Sequence, residues 1–279
     1  MDLMKRAFSF FGTGSGGGAG TLPVQRLDRA GVEERLRGGG GRSLAGLDLS
    51  GADLSGMDLA GAELRGAVLC GARLAGAVLE RADLTGADLC GADFTGADLS
   101  GAVLRDASCI RSGSAAPAVF ARARLPGADL LGVELTRADF TGADLTGARL
   151  YEATLHKACF RGAVLAGANL DGANLRHAIL DDADLSGAEL STADLAGVTA
   201  RGAGLEGAVM RRANLAGAVL EGARLDGADL REAELEGAVL RGSSLRSVRL
   251  ERANLDGAVL EGADLEETEL SAAMNLARA

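Results

Sequence analysis

The sequence has few of the large side chains that usually fill a globular core. Its 279 residues include 7 Phe, 1 Tyr, no Trp and only 3 Pro. This shortage argues against an ordinary globular domain, because such cores depend on bulky aromatic groups. Disorder is also a poor fit, since 47% of the residues are apolar and only 24% are charged. A core built from many small residues in a regular array remains.

The sequence predicts no membrane span, no leader and no cysteine framework. No apolar run approaches the ~18 residues of a membrane span, and Ala7–Phe11 is shorter than the apolar region of a signal peptide. Four Cys without paired spacing suit a reducing interior. The net charge of −10 disfavours binding to nucleic acid or to anionic lipid. We therefore expect a cytoplasmic protein that directly contacts neither nucleic acid nor membrane.

A repeat of five residues dominates the rest of the chain. From Leu44 a large apolar residue occupies every fifth position for 14 repeats, to Cys109, and the pattern resumes for 31 repeats from Phe120 to Leu270. Of these 45 central positions 38 are Leu, and the residue two before is Ala in 37. The unit reads A-D/N/V-L-x-G.

A period of five suits neither a helix nor a straight strand. On an α-helix the leucines would spiral around the axis, and on a strand successive leucines would point to opposite faces. Both Ala and Leu can point inward in each repeat only if the chain turns a corner once per repeat. Glycine suits such a corner because it tolerates unusual backbone angles. The repeat therefore predicts an all-β solenoid whose coils stack at about 4.8 Å.

Charge patterning indicates how many sides a coil has. The residue after the central Leu alternates in sign at every twentieth position: Arg161, Asp181, Arg201, Glu221, Arg241 and Glu261. If four repeats form one coil, these residues stack as ion pairs, whereas three repeats would place Arg161 on Arg176. Phe120, Phe140 and Phe160 share the spacing and would stack inside. We predict four sides and about 11 coils, hence a rod roughly 50 Å long.

The repeat unit resembles that of the pentapeptide-repeat family, over residues 42–270. The resemblance implies a right-handed quadrilateral parallel β-helix and a protein that is not an enzyme. Well-known members protect DNA gyrase or topoisomerase IV from inhibitors as acidic rods that mimic duplex DNA. Other members have no established activity, and some accompany bacterial secretion systems.

The sequence outside the regular repeat divides the chain further. Val24–Arg37 has helical spacing and predicts a short N-terminal helical cap over the open end of the first coil. The interval after Cys109 is either a one-residue bulge or a protruding loop. The predicted segments are a flexible apolar and basic arm with a Gly-rich linker (1–20), the cap (21–41), a first run (42–109), the interruption (110–119), a second run (120–270) and a C-terminal tail or cap (271–279).

Three groups of residues are candidates for interaction. Phe8, Phe10 and Phe11 form either a docking peptide or part of a disordered tail. The outward residues of one side form an apolar stripe, which reflects strand propensity or a surface for a partner or a second copy. The stripe consists of Ile179, Thr199, Val219, Val239 and Val259. A basic cluster, either a solvated face or an interaction site, consists of Arg137, His156, Lys157, Arg176 and His177.

Nothing in the sequence predicts catalysis, a cofactor or a metal site. The two His have no nucleophile in an obvious relation to them, and two His without a third ligand make a weak metal site. The carboxylates spread along a convex rod instead of converging in a pocket. Cys70 and Cys90 are expected to stack one coil apart, either as small corner residues or close enough for a disulfide.

Two functions are compatible with these features. The first is a non-enzymatic scaffold for protein–protein interaction, with gyrase, a topoisomerase or a secretion-system component as the partner and a homodimer as a further option. The second is DNA mimicry that protects gyrase or topoisomerase IV, as in antibiotic or self-resistance. Mimicry needs continuous acidic rows, but Val68 interrupts the row of Asp48 and Asp88. The resemblance to the protecting members would also imply a C-terminal extension for dimerisation, whereas only Ser271–Ala279 follows the last repeat.

Overall fold

The computed structural model describes residues 26–38, 42–109 and 116–275 of the chain. These residues form a parallel β-helix in which each side contributes a single bridging residue to the ladder. Most bridges join positions 20 residues apart, as in Asp48 with Val68 and Val219 with Val239. Twenty residues are four repeats, which confirms the four-sided coil. The Phe ladder agrees, with ring centroids of Phe120 and Phe140 4.9 Å apart and those of Phe140 and Phe160 4.8 Å apart.

The repeat forms a corner because its backbone closes a tight turn. The carbonyl of Leu49 accepts a hydrogen bond from the amide of Ala52 at 3.0 Å, and Gly51 between them has φ +66°. Such a turn requires positive φ at its third residue, which glycine adopts without strain. The Asp48 carboxylate accepts a hydrogen bond from the amide of Ser50 at 2.9 Å. This short-range bond explains why Asp and Asn are common before the central Leu.

Backbone hydrogen bonds join each coil to the next. The amide of Leu49 donates to Val68 at 2.8 Å, and that of Gly51 donates to Cys70 at 2.9 Å. The Ala and Leu columns point inward and are almost completely buried. Ala200 takes the place of a central Leu, and a small apolar cavity of about 10 Å³ lies beside it, near Val198. Because the interior holds only these columns, the core is narrow and continuous along the rod.

The interruption after Cys109 is an insertion of six residues into the ladder. Across it the bridges join residues 26 apart instead of 20, as in Asp93 with Val119. The ring of Phe120 stacks on Phe94, with centroids 4.9 Å apart and planes 1° apart. A one-residue bulge would have placed Phe120 over Leu99, so that alternative is wrong. Residues 110–115, which make up the excess, lie outside the described part of the chain.

Helix α1 spans Arg29–Arg37 and packs beside the first coil. It begins later than the predicted Val24, because Asp28 is its N-cap and accepts a hydrogen bond from Gly31 at 3.0 Å. The preceding Arg26 is instead extended and bridges Asp48. Val32 is completely buried against the core. At the other end a 3₁₀ turn covers Leu270–Ala272.

Candidate interaction surface

The apolar stripe lies on one flat side of the rod, as its spacing predicts. Its residues pair in parallel from one coil to the next, from Ile179 through to Val259. All of them are half-buried, because each side chain packs between its two neighbours along the ladder. Cys159 occupies the same column on the coil before Ile179 and is also half-buried. The stripe with Cys159 therefore covers six successive coils, a length of about 24 Å at one strand spacing per coil.

An ion-pair ladder borders the stripe along one corner of the rod. Arg201 lies 4.0 Å from Asp181 and 3.2 Å from Glu221, and Arg161 lies 3.7 Å from Asp181. At the far end Arg241 and Glu261 are 3.3 Å apart. The alternating charges thus stack as the sequence predicts. Their guanidinium groups are about half exposed, so each pair contributes little to stability by itself.

The basic cluster borders the stripe along its other corner. The amide of Arg137 donates to the carbonyl of His156 at 2.9 Å, and that of Lys157 donates to Arg176 at 2.9 Å. The rings of His156 and His177 meet edge to face with centroids 5.8 Å apart. The structure therefore places all five predicted residues together on successive coils.

Sequence reasoning missed how this corner continues beyond the basic cluster. The next two coils carry Ala196 and Ala216 at the same corner position, and the two after that carry Glu236 and Asp256. The corner thus changes from basic through small to acidic along the stripe. Counting in steps of 20 from Arg176 would have found this order in the sequence.

A third group of side chains lies where the insertion leaves the ladder. The ligand atoms of Cys70, Asp88 and Cys90 all lie within 4.8 Å of one another, and we name these residues the thiol cluster. Cys70 and Cys90 stack as expected, and the structure contains no disulfide between them. Sequence reasoning missed Asp88, although it lies two residues before Cys90 in the same repeat.

The thiols in this region are poor nucleophiles. Burial, reinforced by a hydrogen bond to Asp88, raises the pKa of Cys70 to about 12. Burial likewise raises the pKa of Cys109 to about 12. Because the thiolate is the reactive form, neither thiol is set up for nucleophilic chemistry near neutral pH.

The N-terminal phenylalanines and the surface hollows of the rod add no further candidate site. Phe8, Phe10 and Phe11 lie outside the described residues. Two open hollows of about 360 Å³ each lie on the rod, one between Arg26 and Gly51 and one between Arg212 and Glu232. No His or Cys lines either hollow. No helix within the described ranges has the length and apolar character that a membrane span requires.

A four-sided parallel β-helix with flat sides and charged corners defines a solenoid repeat protein. The sequence model for pentapeptide repeats matches the chain in eight copies, over residues 48–86, 72–108, 118–156, 158–197, 193–232 and 233–271. The chain therefore belongs to the pentapeptide repeat family, whose members are generally non-enzymatic scaffolds built as right-handed quadrilateral β-helices.

Solved structures of the family resemble the chain over most of its length. HetL, a pentapeptide repeat protein involved in heterocyst differentiation regulation from the cyanobacterium Nostoc sp. strain PCC 7120, is 31% identical, with 91% of this chain and 99% of HetL covered and a TM-score of 0.40. Full-length QnrB1, a plasmid-mediated fluoroquinolone resistance protein, is 20% identical, with coverages of 82% and 96% and a TM-score of 0.34. No curated protein matches the sequence.

Proposed function

We propose that this protein is a non-enzymatic scaffold that binds a protein partner through the apolar stripe. The observation that carries the proposal is the contrast between this side and the other three. On the other sides acidic, basic and amide residues interrupt the outward columns, as in Asp144, Val164 and Asp184. The stripe instead runs without a charge from Ile179 to Val259. A flat, uncharged strip between charged borders is typical of a protein interface.

We further propose that helix α1 caps a rod of about 11 coils. In a solenoid the first coil has backbone carbonyls with no preceding coil to pair with. Arginines from the N-terminal segment reach such carbonyls: Arg26 donates to Ser50 at 3.0 Å, Arg29 to Ser55 at 2.9 Å and Arg35 to Ser43 at 2.8 Å. Together with the burial of Val32, these bonds support a cap that closes the N-terminal end.

The alternative function, protection of a topoisomerase by DNA mimicry, has less support from the surface. Val68 separates Asp48 from Asp88 in one outward column, and Arg73 separates Asp53 from Asp93 in another. Arginines at the corners also pair with many of the carboxylates, which removes negative charge from the surface. A duplex, by contrast, carries an unbroken row of phosphates.

A substitution on the stripe tests the scaffold role directly. Replacing Val219, Val239 and Val259 together with Lys is expected to abolish capture of the partner, while the β-rich circular dichroism remains. The matched control replaces three outward valines on other sides with Lys, namely Val103, Val164 and Val209, and should leave capture intact. Equal capture by both variants would contradict the proposal.

A gyrase supercoiling assay separates the two functions. If the scaffold binds a partner other than gyrase, the purified protein neither inhibits gyrase nor rescues it from a fluoroquinolone. Rescue that persists in the triple-Lys stripe variant would favour the alternative function, because mimicry would use the acidic faces instead of the stripe.

A further inference from the structure

The structure buries three aspartates, and two of them have arginine partners. Asp129 lies 2.6 Å from Arg105. Asp229 lies 2.6 Å from Arg211 and 2.7 Å from Arg231. Buried carboxylates generally require a cation, because taking an unpaired charge out of water is costly.

The third buried aspartate, Asp88, faces thiols instead of arginines. It is only 6% exposed, and none of the ion pairs among the described residues includes it. Its carboxylate accepts a hydrogen bond from the amide of Cys90 at 3.2 Å. The sulfurs of Cys70 and Cys90 lie within 4.8 Å of it and of each other. Among the described residues, no arginine therefore supplies Asp88 with the cation that the other two aspartates have, and the side chains gathered around it are metal-ligand types.

The geometry of the thiol cluster suits a tetrahedral metal ion. Zinc binds Cys sulfur at about 2.3 Å and carboxylate oxygen at about 2.0–2.2 Å, which places neighbouring ligand atoms roughly 3.5–4 Å apart. Ligand atoms within 4.8 Å of one another reach that arrangement with small rotamer changes.

We propose that Cys70, Asp88 and Cys90 bind one zinc ion. The ion would join two successive coils at the point where the six-residue insertion leaves the ladder. Three protein ligands would leave the fourth tetrahedral position to a water molecule. This site is independent of the apolar stripe, which lies on another part of the rod.

Zinc and cobalt binding to the full-length protein test this site. Protein purified with a reductant should contain one zinc per chain, and Co²⁺ should give the thiolate charge-transfer and tetrahedral visible bands. Cys70→Ser and Cys90→Ser should each weaken binding at least 10-fold and remove the charge-transfer band. Cys159→Ser, about three coils from Cys90 along the rod, is the matched control and should bind as the wild type does.

Three outcomes would overturn the zinc site. The first is wild-type protein that binds no zinc, and the second is binding that Cys70→Ser and Cys90→Ser both retain, which would mark an adventitious ion only. The third is a native disulfide between the two cysteines. If Cys90→Ser fails to fold, Cys70→Ser and Asp88→Asn decide the question, because Cys70 is only half-buried.

The charges that border the apolar stripe indicate which molecule binds to it. This second inference rests on the proposed scaffold function, because it names the occupant of the same surface. Consider a two-fold axis that lies across the stripe midway between the coils of Thr199 and Val219. It brings two copies face to face with their rods antiparallel, so that each corner meets its own counterpart in reverse order. This symmetry relates identical patches, as in most homodimers.

In that arrangement both borders become complementary. On the ion-pair ladder the opposed residues are Arg161 with Glu261, Asp181 with Arg241, and Arg201 with Glu221. On the other border the opposed residues are Lys157 and His156 with Asp256, Arg176 and His177 with Glu236, and Ala196 with Ala216. Each charged residue thus meets one of opposite sign, and small residues meet at the centre.

Other arrangements of the same face lose this match. Parallel rods would place Lys157 against Arg161 and Asp256 against Glu261. Shifting the antiparallel axis by half a coil would place Arg161 against Arg241, because the ladder alternates. Like charges opposed across an interface disfavour those arrangements.

We infer that the apolar stripe binds a second copy of this chain in the antiparallel register. The apolar part of the contact is about 24 Å long and roughly three residues, or 10 Å, wide. This area is smaller than the ~800 Å² per partner of a standard interface, so the dimer is weak and depends on the border charges. Its dissociation should therefore increase with salt, which screens exposed pairs.

Paired charge reversals test the register. Lys157→Glu with Arg176→Glu makes one border wholly acidic, and Glu236→Lys with Asp256→Lys makes it wholly basic. Each variant alone should sediment as a monomer, while an equimolar mixture should form a heterodimer. Reversal of Arg212 and Arg252, at a corner away from the stripe, is the control and should leave self-association unchanged.

A cross-linking experiment tests the orientation independently. With Val259→Cys, a short bismaleimide should join the introduced thiol of one copy to Cys159 of the other, as identified by peptide mapping. Adding Cys159→Ser should abolish that cross-link. Cross-links between the introduced thiols of two copies would indicate parallel rods and would overturn the inference.

The outcomes for the second copy and for the partner protein are separable. Wild-type protein that remains monomeric at all concentrations and salt levels would remove the second copy as the occupant. If the wild-type protein stayed monomeric but the triple-Lys stripe variant failed to capture the partner protein, the scaffold function would stand without the second copy. If that variant changed neither sedimentation nor capture, both proposals would fail.

Discussion

Replacing Leu220 with Ala tests whether stability resides in the inward columns. Leu220 is 1% exposed and lies in the column between Ala200 and Leu240. The change removes three buried carbon atoms, worth about 2.4 kcal/mol at ~0.8 kcal/mol each. A cavity term adds to this, because the coils above and below are held by backbone hydrogen bonds and collapse little. We expect a total loss of about 3–5 kcal/mol.

The matched comparison is Arg241→Ala. Arg241 follows Leu240, the next residue of the same inward column, and its side chain points outward at the corner. The Arg241 side chain is 55% exposed and its partner Glu261 is 79% exposed, with 3.3 Å between them. Exposed pairs of this kind contribute less than about 1 kcal/mol. The two substitutions therefore differ severalfold in expected cost, although they lie one coil apart.

Urea unfolding followed by circular dichroism measures both costs. Hydrogen exchange adds a spatial readout, because each coil of a solenoid contacts only its neighbours. Leu220→Ala should reduce protection mainly in the coils around it, and Arg241→Ala should leave protection nearly unchanged. Equal losses for the two variants would refute the assignment of inward and outward positions.

Three further predictions concern acid stability and the N-terminus. Burial raises the pKa of Asp229, but hydrogen bonds from Arg231 and Arg211 outweigh it and hold the pKa well below its usual range. This stabilisation is present above about pH 4 and is lost as the pH falls further, so Asp229→Asn should lower the Tm at pH 7 and flatten its acid dependence. Val32→Asp should lower the Tm and reduce exchange protection in the first coils, because it places a charge in the proposed cap; unchanged protection would argue against capping. Deleting residues 1–20 should leave the Tm nearly unchanged but weaken partner binding, and a large fall in Tm would assign the arm to the cap.

Local chemistry made the β-helix readable from the sequence. A corner once per five residues is forced by Ala and Leu pointing inward, and the turn that forms it involves only four consecutive residues. The charges at spacing 20 then indicate four sides, because stacked residues one coil apart are direct neighbours. Ion pairs such as Arg201 with Glu221 and the stacked phenylalanines confirm both steps.

The start of the helix and the length of the insertion depend on contacts between distant segments, and the sequence pattern did not predict them. The helix begins at Arg29, after its N-cap Asp28, because Arg26 pairs with the first coil. The helical spacing of the apolar residues, by contrast, extends back to Val24. The six-residue insertion could not be told from a one-residue bulge, since the two differ by one whole repeat and shift the later repeats by the same single residue. Only the stacking of Phe120 on Phe94 decides between them.

The candidate sites show the same division. Sequence periodicity places each outward residue on a side and a coil, so the apolar stripe and the basic cluster were both predicted. The reversal of charge along their shared border could also have been counted from the sequence in steps of 20 residues. The approach of Asp88 to Cys70, by contrast, crosses from one coil to the next at a corner. Such proximities arise from stacking, and the tertiary structure alone decides them, because the residues that meet in this way are far apart in the sequence.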